Sequence, residues 1–253
     1  MLAVYNDIGS VKALFEQADG QVAAVIVEAV GANMGVVPPC EGFLEGLRAL
    51  CDQYHALLIF DEVITGFRLA FGGAAQYFGV TPDLVTYGKI IGAGMPVGAY
   101  GGRREIMQLV APLGSVYQAG TLSGNPVAMR AGLTQLRYLQ AHPEVYHQVG
   151  FLSHRLRSGL EDIIRRHHAP CTVNGIGSLS CLYFTPEKVR NYADAKKADT
   201  AKFREYFHFM LDRGNYFGPS QFEAIFVSNA HTLREIDKTL GDADEFFAAH
   251  SGN

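Results

Sequence analysis

Two residues in the first hundred have the types and spacing to do chemistry together. Asp61 follows LLIF at the carboxyl end of a strand-like run, and Lys89 ends the next such run, DLVTYGK. That end of a parallel sheet is where α/β folds bind ligands, because each strand there gives way to a loop. Lys89 precedes glycine-rich sequence (KIIGAGMPVGAYGG, counted from Lys89) with few polar neighbours, so it is expected to be buried. Burial would lower its pKa and free the amine as a nucleophile toward carbonyls. An aldehyde cofactor with a ring nitrogen needs both parts: a lysine for the Schiff base and an acid opposite the nitrogen. The acid keeps that nitrogen protonated through a charge-assisted hydrogen bond, which makes the ring an electron sink.

Other patterns compete for the same residues. Four apolar residues before Asp61-Glu62 also suit the metal-holding strand of nucleotide hydrolases, but that reading needs a G-x-x-x-x-G-K-[ST] loop. The only Gly-Lys, Gly88-Lys89, is followed by Ile90. Gly92 and Gly94 are followed by Val97 where a dinucleotide loop needs a third glycine. No H-E-x-x-H or G-x-S-x-G occurs, and the nine histidines show no metal spacing, so no metal site is expected. A solvated carboxylate ending a strand is the plain alternative for Asp61 taken alone.

The elements that must position these residues read as follows. VAAVIV (Val22–Val27), LLIF (Leu57–Phe60), Leu84–Tyr87 and Val97–Tyr100 are strand-like. Leu44, Leu47 and Cys51 give Glu41–His55 helical spacing, and Ser10–Gln17 is helix-like. This alternation predicts a parallel sheet covered on both faces. Asn125-Pro126 should open a helix to about Gln140, followed by one near Val145–His167. Beyond Cys171 an α+β pattern follows, with strands near Gly177–Phe184 and Ala224–Ser228 and helices near Thr200–Arg213 and Thr232–Ala249. Thr232 and Glu235 stand at capping-box spacing. The chain has 253 residues, 48% of them hydrophobic, which excludes disorder. With 21 basic against 25 acidic residues and no basic block, nothing marks a nucleic-acid or anionic-membrane surface. Four scattered cysteines suggest reduced core thiols, and no apolar run is long enough for a membrane span; a cytoplasmic enzyme is expected.

LLIFDEVITGFR, TPDLVTYGKIIGAGMPVGAYGG and VYQAGTLSGNP together resemble the class III pyridoxal-phosphate aminotransferases. NMGVVPP (Asn33–Pro39), Tyr117–Pro126 and GPSQFEAIFVSNAH (Gly218–His231) resemble the aminomutase branch of that family most closely. The resemblance implies the type I fold, with the C-terminal part of a large cofactor domain (1–141) bearing a mainly parallel sheet, then a small α+β domain (142–253). It implies pyridoxal 5'-phosphate and its pyridoxamine form as cofactor, a small amino aldehyde as substrate, and a homodimer. Position by position, Lys89 matches the cofactor-bearing lysine that shuttles protons, and Asp61 the partner of the ring nitrogen. Val63 matches the residue on one ring face, Asn33 a donor to the ring hydroxyl, and Thr121 the threonine reaching the neighbouring subunit's cofactor phosphate. Independently of that match, Gly120–Asn125 leads into a helix N-terminus, whose amides favour an anion. Glu223 stands where ordinary members tend to carry an arginine for the substrate carboxylate, and would gate against dicarboxylate donors. The run Glu28-Ala29-Val30-Gly31-Ala32 departs from the family's usual Glu-Pro.

The implied activity is isomerisation of glutamate-1-semialdehyde to 5-aminolevulinate, the entry to tetrapyrrole synthesis. An ω-amino-acid transaminase of the same family and a non-catalytic fragment stay open beside it. The resemblance covers only the C-terminal part of the family. The phosphate loop and stacking aromatic that members carry upstream are not found here, so weak cofactor binding and association through an exposed sheet are expected of the chain alone.

Overall fold

In a computed structural model that describes residues 1–250, the chain divides into two units. One holds residues 1–3, 7–29 and 41–143; the other holds 4–6, 30–40 and 144 onward. Where the sequence suggests a single boundary near 142, the structure thus groups the 30–40 loop with the second unit.

The first unit runs α1 (Ile8–Ala18), β1 (Ala24–Glu28), α2 (Phe43–Gln53), β2 (Leu57–Asp61), α3 (Gly73–Phe78) and β3 (Leu84–Tyr87). A 3-10 turn at Lys89–Gly92, β4 (Ala99–Gly102), α4 (Arg104–Met107) and α5 (Pro126–Ala141) complete it. The sheet order is β1-β2-β3-β4, parallel through β3, with β4 antiparallel against β3. Only about ten residues separate β3 from β4, too few for a covered parallel crossover, so the chain turns back on itself. Leu58 and Phe60 of β2 are fully buried, and Leu44, Leu47 and Cys51 of α2 supply the apolar stripe that packs against this sheet. The first strand departs from expectation: VAAVIV reads as a buried strand, yet Ile26 of β1 is 63% exposed. β1 is an edge strand with one side unpaired, so part of its apolar sequence faces outward.

The strand ends away from Asp61 are fastened by a charge cluster. Asp83, 6% exposed, accepts from the Leu58 amide (2.7 Å), Arg48 Nη1 (2.8 Å) and Arg103 Nη1 (3.0 Å). Burial alone would raise the Asp83 pKa. The Leu58 amide and the two guanidiniums outweigh it and hold the carboxyl below the usual carboxylate range.

The second unit contains α6 (Glu144–Arg166), β5 (Thr172–Ile176), β6 (Leu179–Tyr183), α7 (Tyr192–Ala195), α8 (Thr200–Asp212), β7 (Ile225–Phe226) and α9 (Leu233–His250). Its antiparallel sheet has the order β5-β6-β7. Leu152, Leu156 and Leu160 of α6, Tyr206 and Met210 of α8, and Leu240, Phe246 and Phe247 of α9 form one core with Phe184. The capping box is made: the Thr232 amide and hydroxyl both donate to Glu235 Oε2, at 2.8 and 2.6 Å. β5 is absent from the sequence reading because TVNGI carries Asn174 and Gly175, poor strand formers that the ladder to β6 holds in place.

Replacing Asp83 with Ala leaves the Leu58 amide and two guanidiniums short of a partner, and should cost about 3–5 kcal/mol at pH 7. The folded-state pKa is depressed. The contribution is therefore present above the unfolded value near ~3.9 and is lost as pH falls through the folded one. Urea unfolding of wild type and Asp83→Ala should show a wide gap at pH 7 that narrows by pH 3. Equal stability at pH 7 contradicts the cluster's role.

Candidate active site

Asp61 is the last residue of β2 and pairs in parallel register with Thr86 of β3. Lys89 lies three residues beyond Thr86, so acid and amine leave adjacent strands at the same, carboxyl edge of the sheet. Asp61 Oδ1 accepts from the Val63 amide (3.0 Å) and from the Thr86 hydroxyl (3.3 Å). Both bonds fall on one oxygen, and among the described residues Oδ2 takes none. That leaves a half-buried, oriented carboxylate oxygen for a cationic N–H, the feature a protonated ring nitrogen requires. Val63 sits in the turn that Asp61 closes.

The neighbouring acid has the opposite fate. Glu62 is fully buried, and its carboxylate accepts from Thr65 Oγ1 (3.1 Å) and from the Ala74 and Ala75 amides (2.6 and 3.1 Å). It thereby ties the loop after β2 to the start of α3. Arg68 in the same loop donates from Nε to the Ile64 carbonyl at 2.8 Å, and burial pulls its pKa down to about 10. Strand alternation sends Asp61 and Glu62 to opposite sides and so to different surroundings.

Lys89 is exposed, contrary to the burial its neighbours suggest. It opens the 3-10 turn at φ +48°, a left-handed conformation sparsely used by residues with a side chain and often stored at functional sites. Among the described residues its amine makes no hydrogen bond or ion pair. The turn is seated by α5: Gly132 packs so close that a Cβ there would overlap the Ile91 carbonyl oxygen. Neither Thr86 nor Gly132 stands out in sequence, since each acts through a contact across the fold.

Thr121 lies in an exposed turn before α5. Asn125 Oδ1 accepts from the Val127 and Ala128 amides, both at 3.1 Å, so those N-terminal amides are already occupied. Those two amides are engaged within the chain, while the turn from Gly120 to Asn125 lies exposed before them. The surrounding surface is apolar and open, with Tyr117 82% exposed and Leu122 and Val127 each 62% exposed.

The second unit brings Asn33 and Glu223 onto linked loops. Both are exposed. The Asn33 loop is closed by paired bonds between Gly31 and Val37 (3.0 and 2.8 Å), and the Gly35 amide donates to the carbonyl of Phe222, next to Glu223 (2.7 Å).

A mainly parallel sheet that presents an oriented acid and an exposed lysine from adjacent strand ends is a frame for carbonyl-cofactor chemistry. The family profile of class-III aminotransferases matches residues 5–240, and the chain belongs to that family. It is 61% identical over 251 residues to the glutamate-1-semialdehyde 2,1-aminomutase of Acetivibrio thermocellus, covering 99% of this chain and 58% of that protein. Among solved structures it resembles an omega-transaminase from Sphaerobacter thermophilus, with TM-score 0.85 and 32% identity over 96% of this chain and 56% of that one. It also resembles a variant glutamate-1-semialdehyde-aminomutase from Pseudomonas aeruginosa PAO1 in complex with PMP, with TM-score 0.85 and 26% identity over 99% of this chain and 56% of that one. The chain thus spans somewhat more than half the length of the relatives it matches.

Gly132→Ala should destabilise by about 1–3 kcal/mol, because the helix must move off the Lys89 turn. Gly150→Ala, where a Cβ meets nothing within 4 Å, should instead stabilise α6 by roughly 0.5–1 kcal/mol. Paired denaturant titrations check both signs. A neutral Gly132→Ala contradicts the close contact.

Proposed function

We propose that this chain is the C-terminal part of a glutamate-1-semialdehyde 2,1-aminomutase, working with pyridoxal 5'-phosphate and its pyridoxamine form. The observation that carries the reading is the β2–β3 register, which sets Asp61 and Lys89 at one sheet edge, with Asp61 Oδ2 taking no donor among the described residues. The 61% identity to an aminomutase favours that branch over its transaminase relatives.

Bound there, the cofactor supplies an aldehyde for amines and a ring that takes up electron density. Asp61 holds the proton on the ring nitrogen through Oδ2, with Oδ1 braced by Val63 and Thr86. Val63 packs on one ring face and Asn33 donates to the ring hydroxyl. Lys89 would hold the cofactor when no substrate is bound, and would move protons at the carbons between which the amino group is exchanged. Glu223 repels a second carboxylate, which suits an enzyme that must not trade its amino group with dicarboxylate donors. Thr121 reaches the cofactor phosphate of a second copy, and the open apolar surface around Tyr117 and Leu122 meets that copy. The substrate is a small amino aldehyde. No described helix is long and apolar enough to cross a membrane.

Borohydride reduction of the cofactor-loaded chain followed by peptide mapping should place the adduct on Lys89. Aminolevulinate should form from the semialdehyde with no added keto acid or amino donor. Product that appears only with a keto acid marks the ω-amino-acid transaminase, a reading that the Sphaerobacter structure keeps in view. A Lys89 adduct with no product under either condition marks a fragment that binds without turning over.

Asp61→Ala should leave the chain folded, lower its unfolding midpoint modestly through the lost Val63 and Thr86 bonds, and remove most turnover. The lost charge-assisted hydrogen bond alone is about 1.5–3 kcal/mol, before any electronic effect. Near-normal turnover in this variant contradicts the electron-sink role. Glu223→Arg should speed the half-reaction with glutamate, since a guanidinium grips a carboxylate bidentately. An unchanged rate there makes Glu223 a bystander.

A further inference from the structure

A buried polar contact of the second unit lies under the Asn33 loop. Tyr183, the last residue of β6, is fully buried. Its hydroxyl donates to the Met34 carbonyl and accepts from the Val36 amide, both at 2.8 Å. Gly35 between them has φ +86°, and a Cβ there would run into the phenol oxygen, so the turn can close on Tyr183 only with glycine at this position. The same Gly35 donates its amide to the Phe222 carbonyl. β6 itself is held by an unusual partner on that side. β7 pairs only with Leu179 and Ser180, and beyond it the Gln221 carboxamide takes over, donating to the Leu182 carbonyl (2.8 Å) and accepting from the Phe184 amide (3.2 Å). A side chain thus continues the ladder where the strand stops, and pins the segment carrying Glu223.

We propose that Tyr183 is a positioning residue: its buried hydroxyl fixes the Asn33–Val36 turn on β6, and through Gly35 and Phe222 sets one constant spacing between Asn33 and Glu223. The proposal rests on the cofactor reading of Asn33 given above. A phenol suits the task, because one oxygen satisfies a donor and an acceptor two residues apart while the ring stays in the core. Removing the oxygen leaves the Val36 amide and Met34 carbonyl buried without a partner, and the turn then gains freedom.

Hydrogen–deuterium exchange of the chain, followed by peptide, reads the anchor without any cofactor. Tyr183→Phe should speed exchange of the amides in 33–37 by about tenfold or more, the loss of roughly one hydrogen bond, with α6 and α9 unchanged. Gly35→Ala should speed the same peptide by pushing the turn off the phenol, so the test survives if Tyr183→Phe fails to fold. In the chain saturated with pyridoxal 5'-phosphate, the pH midpoint of the visible band should move in Tyr183→Phe in the same direction as in Asn33→Ala. Unchanged exchange in both variants overturns the anchor. Faster exchange with an unmoved midpoint, while Asn33→Ala does move it, overturns the positioning role. If Asn33→Ala leaves the midpoint fixed, the cofactor reading of Asn33 is what fails, and the exchange result still decides the anchor.

Discussion

The first unit depends on one constraint, the parallel register of β2 against β3. Asp61 sits opposite Thr86, whose hydroxyl reaches across to the Asp61 carboxylate while its carbonyl accepts from the Glu62 amide. Because strand side chains alternate, a slip of one residue would turn Asp61 inward and present Glu62 instead. The register is fixed from both ends. Asp83, just before β3, binds the Leu58 amide of β2, and Thr86 locks the other end three residues later. A further three residues along, Lys89 emerges. The charge cluster at one edge of the sheet therefore helps fix the other edge, where Asp61 and Lys89 stand, although it never touches it.

The second unit solves a related problem by different means. Its loops at 30–37 and 218–223 carry exposed polar residues, and such loops wander unless their backbone groups are engaged. Here Tyr183 of β6 engages the backbone of the first loop, and Gln221 of the second loop bonds the Leu182 carbonyl and the Phe184 amide. Both are buried polar groups with their bonding needs met, which is the condition for such groups to specify a single arrangement rather than weaken the fold. Cys181 lies among them, its thiol pushed up to about 12 by burial, and remains a packing residue rather than a reactive one.

Much of this was legible in the sequence where the physics is local. LLIF ending in Asp61, the Asn125-Pro126 helix start and the Thr232–Glu235 capping box all depend on neighbours within a few residues, and each forms as its pattern indicates. The family motifs likewise point to Asp61 and Lys89 as a pair. What sequence could not show depends on distant partners. β5 exists because β6 pairs with it. Thr86 matters because β2 lies beside it, and Tyr183 because residues some 150 positions earlier fold onto it. Lys89 looked buried from its glycine-rich company, but glycines supply no bulk to cover a side chain.

The central claim is that the strand register hands a cofactor's ring nitrogen to Asp61 Oδ2. The most direct measurement is the ¹⁵N chemical shift of pyridoxal 5'-phosphate labelled at that nitrogen and bound to the protein, followed from pH 6 to pH 9. The account predicts a protonated nitrogen throughout this range in the wild-type protein, and a nitrogen that loses its proton within it in Asp61→Ala. A wild-type nitrogen that titrates like the free cofactor, or an Asp61→Ala spectrum matching the wild type, would contradict it.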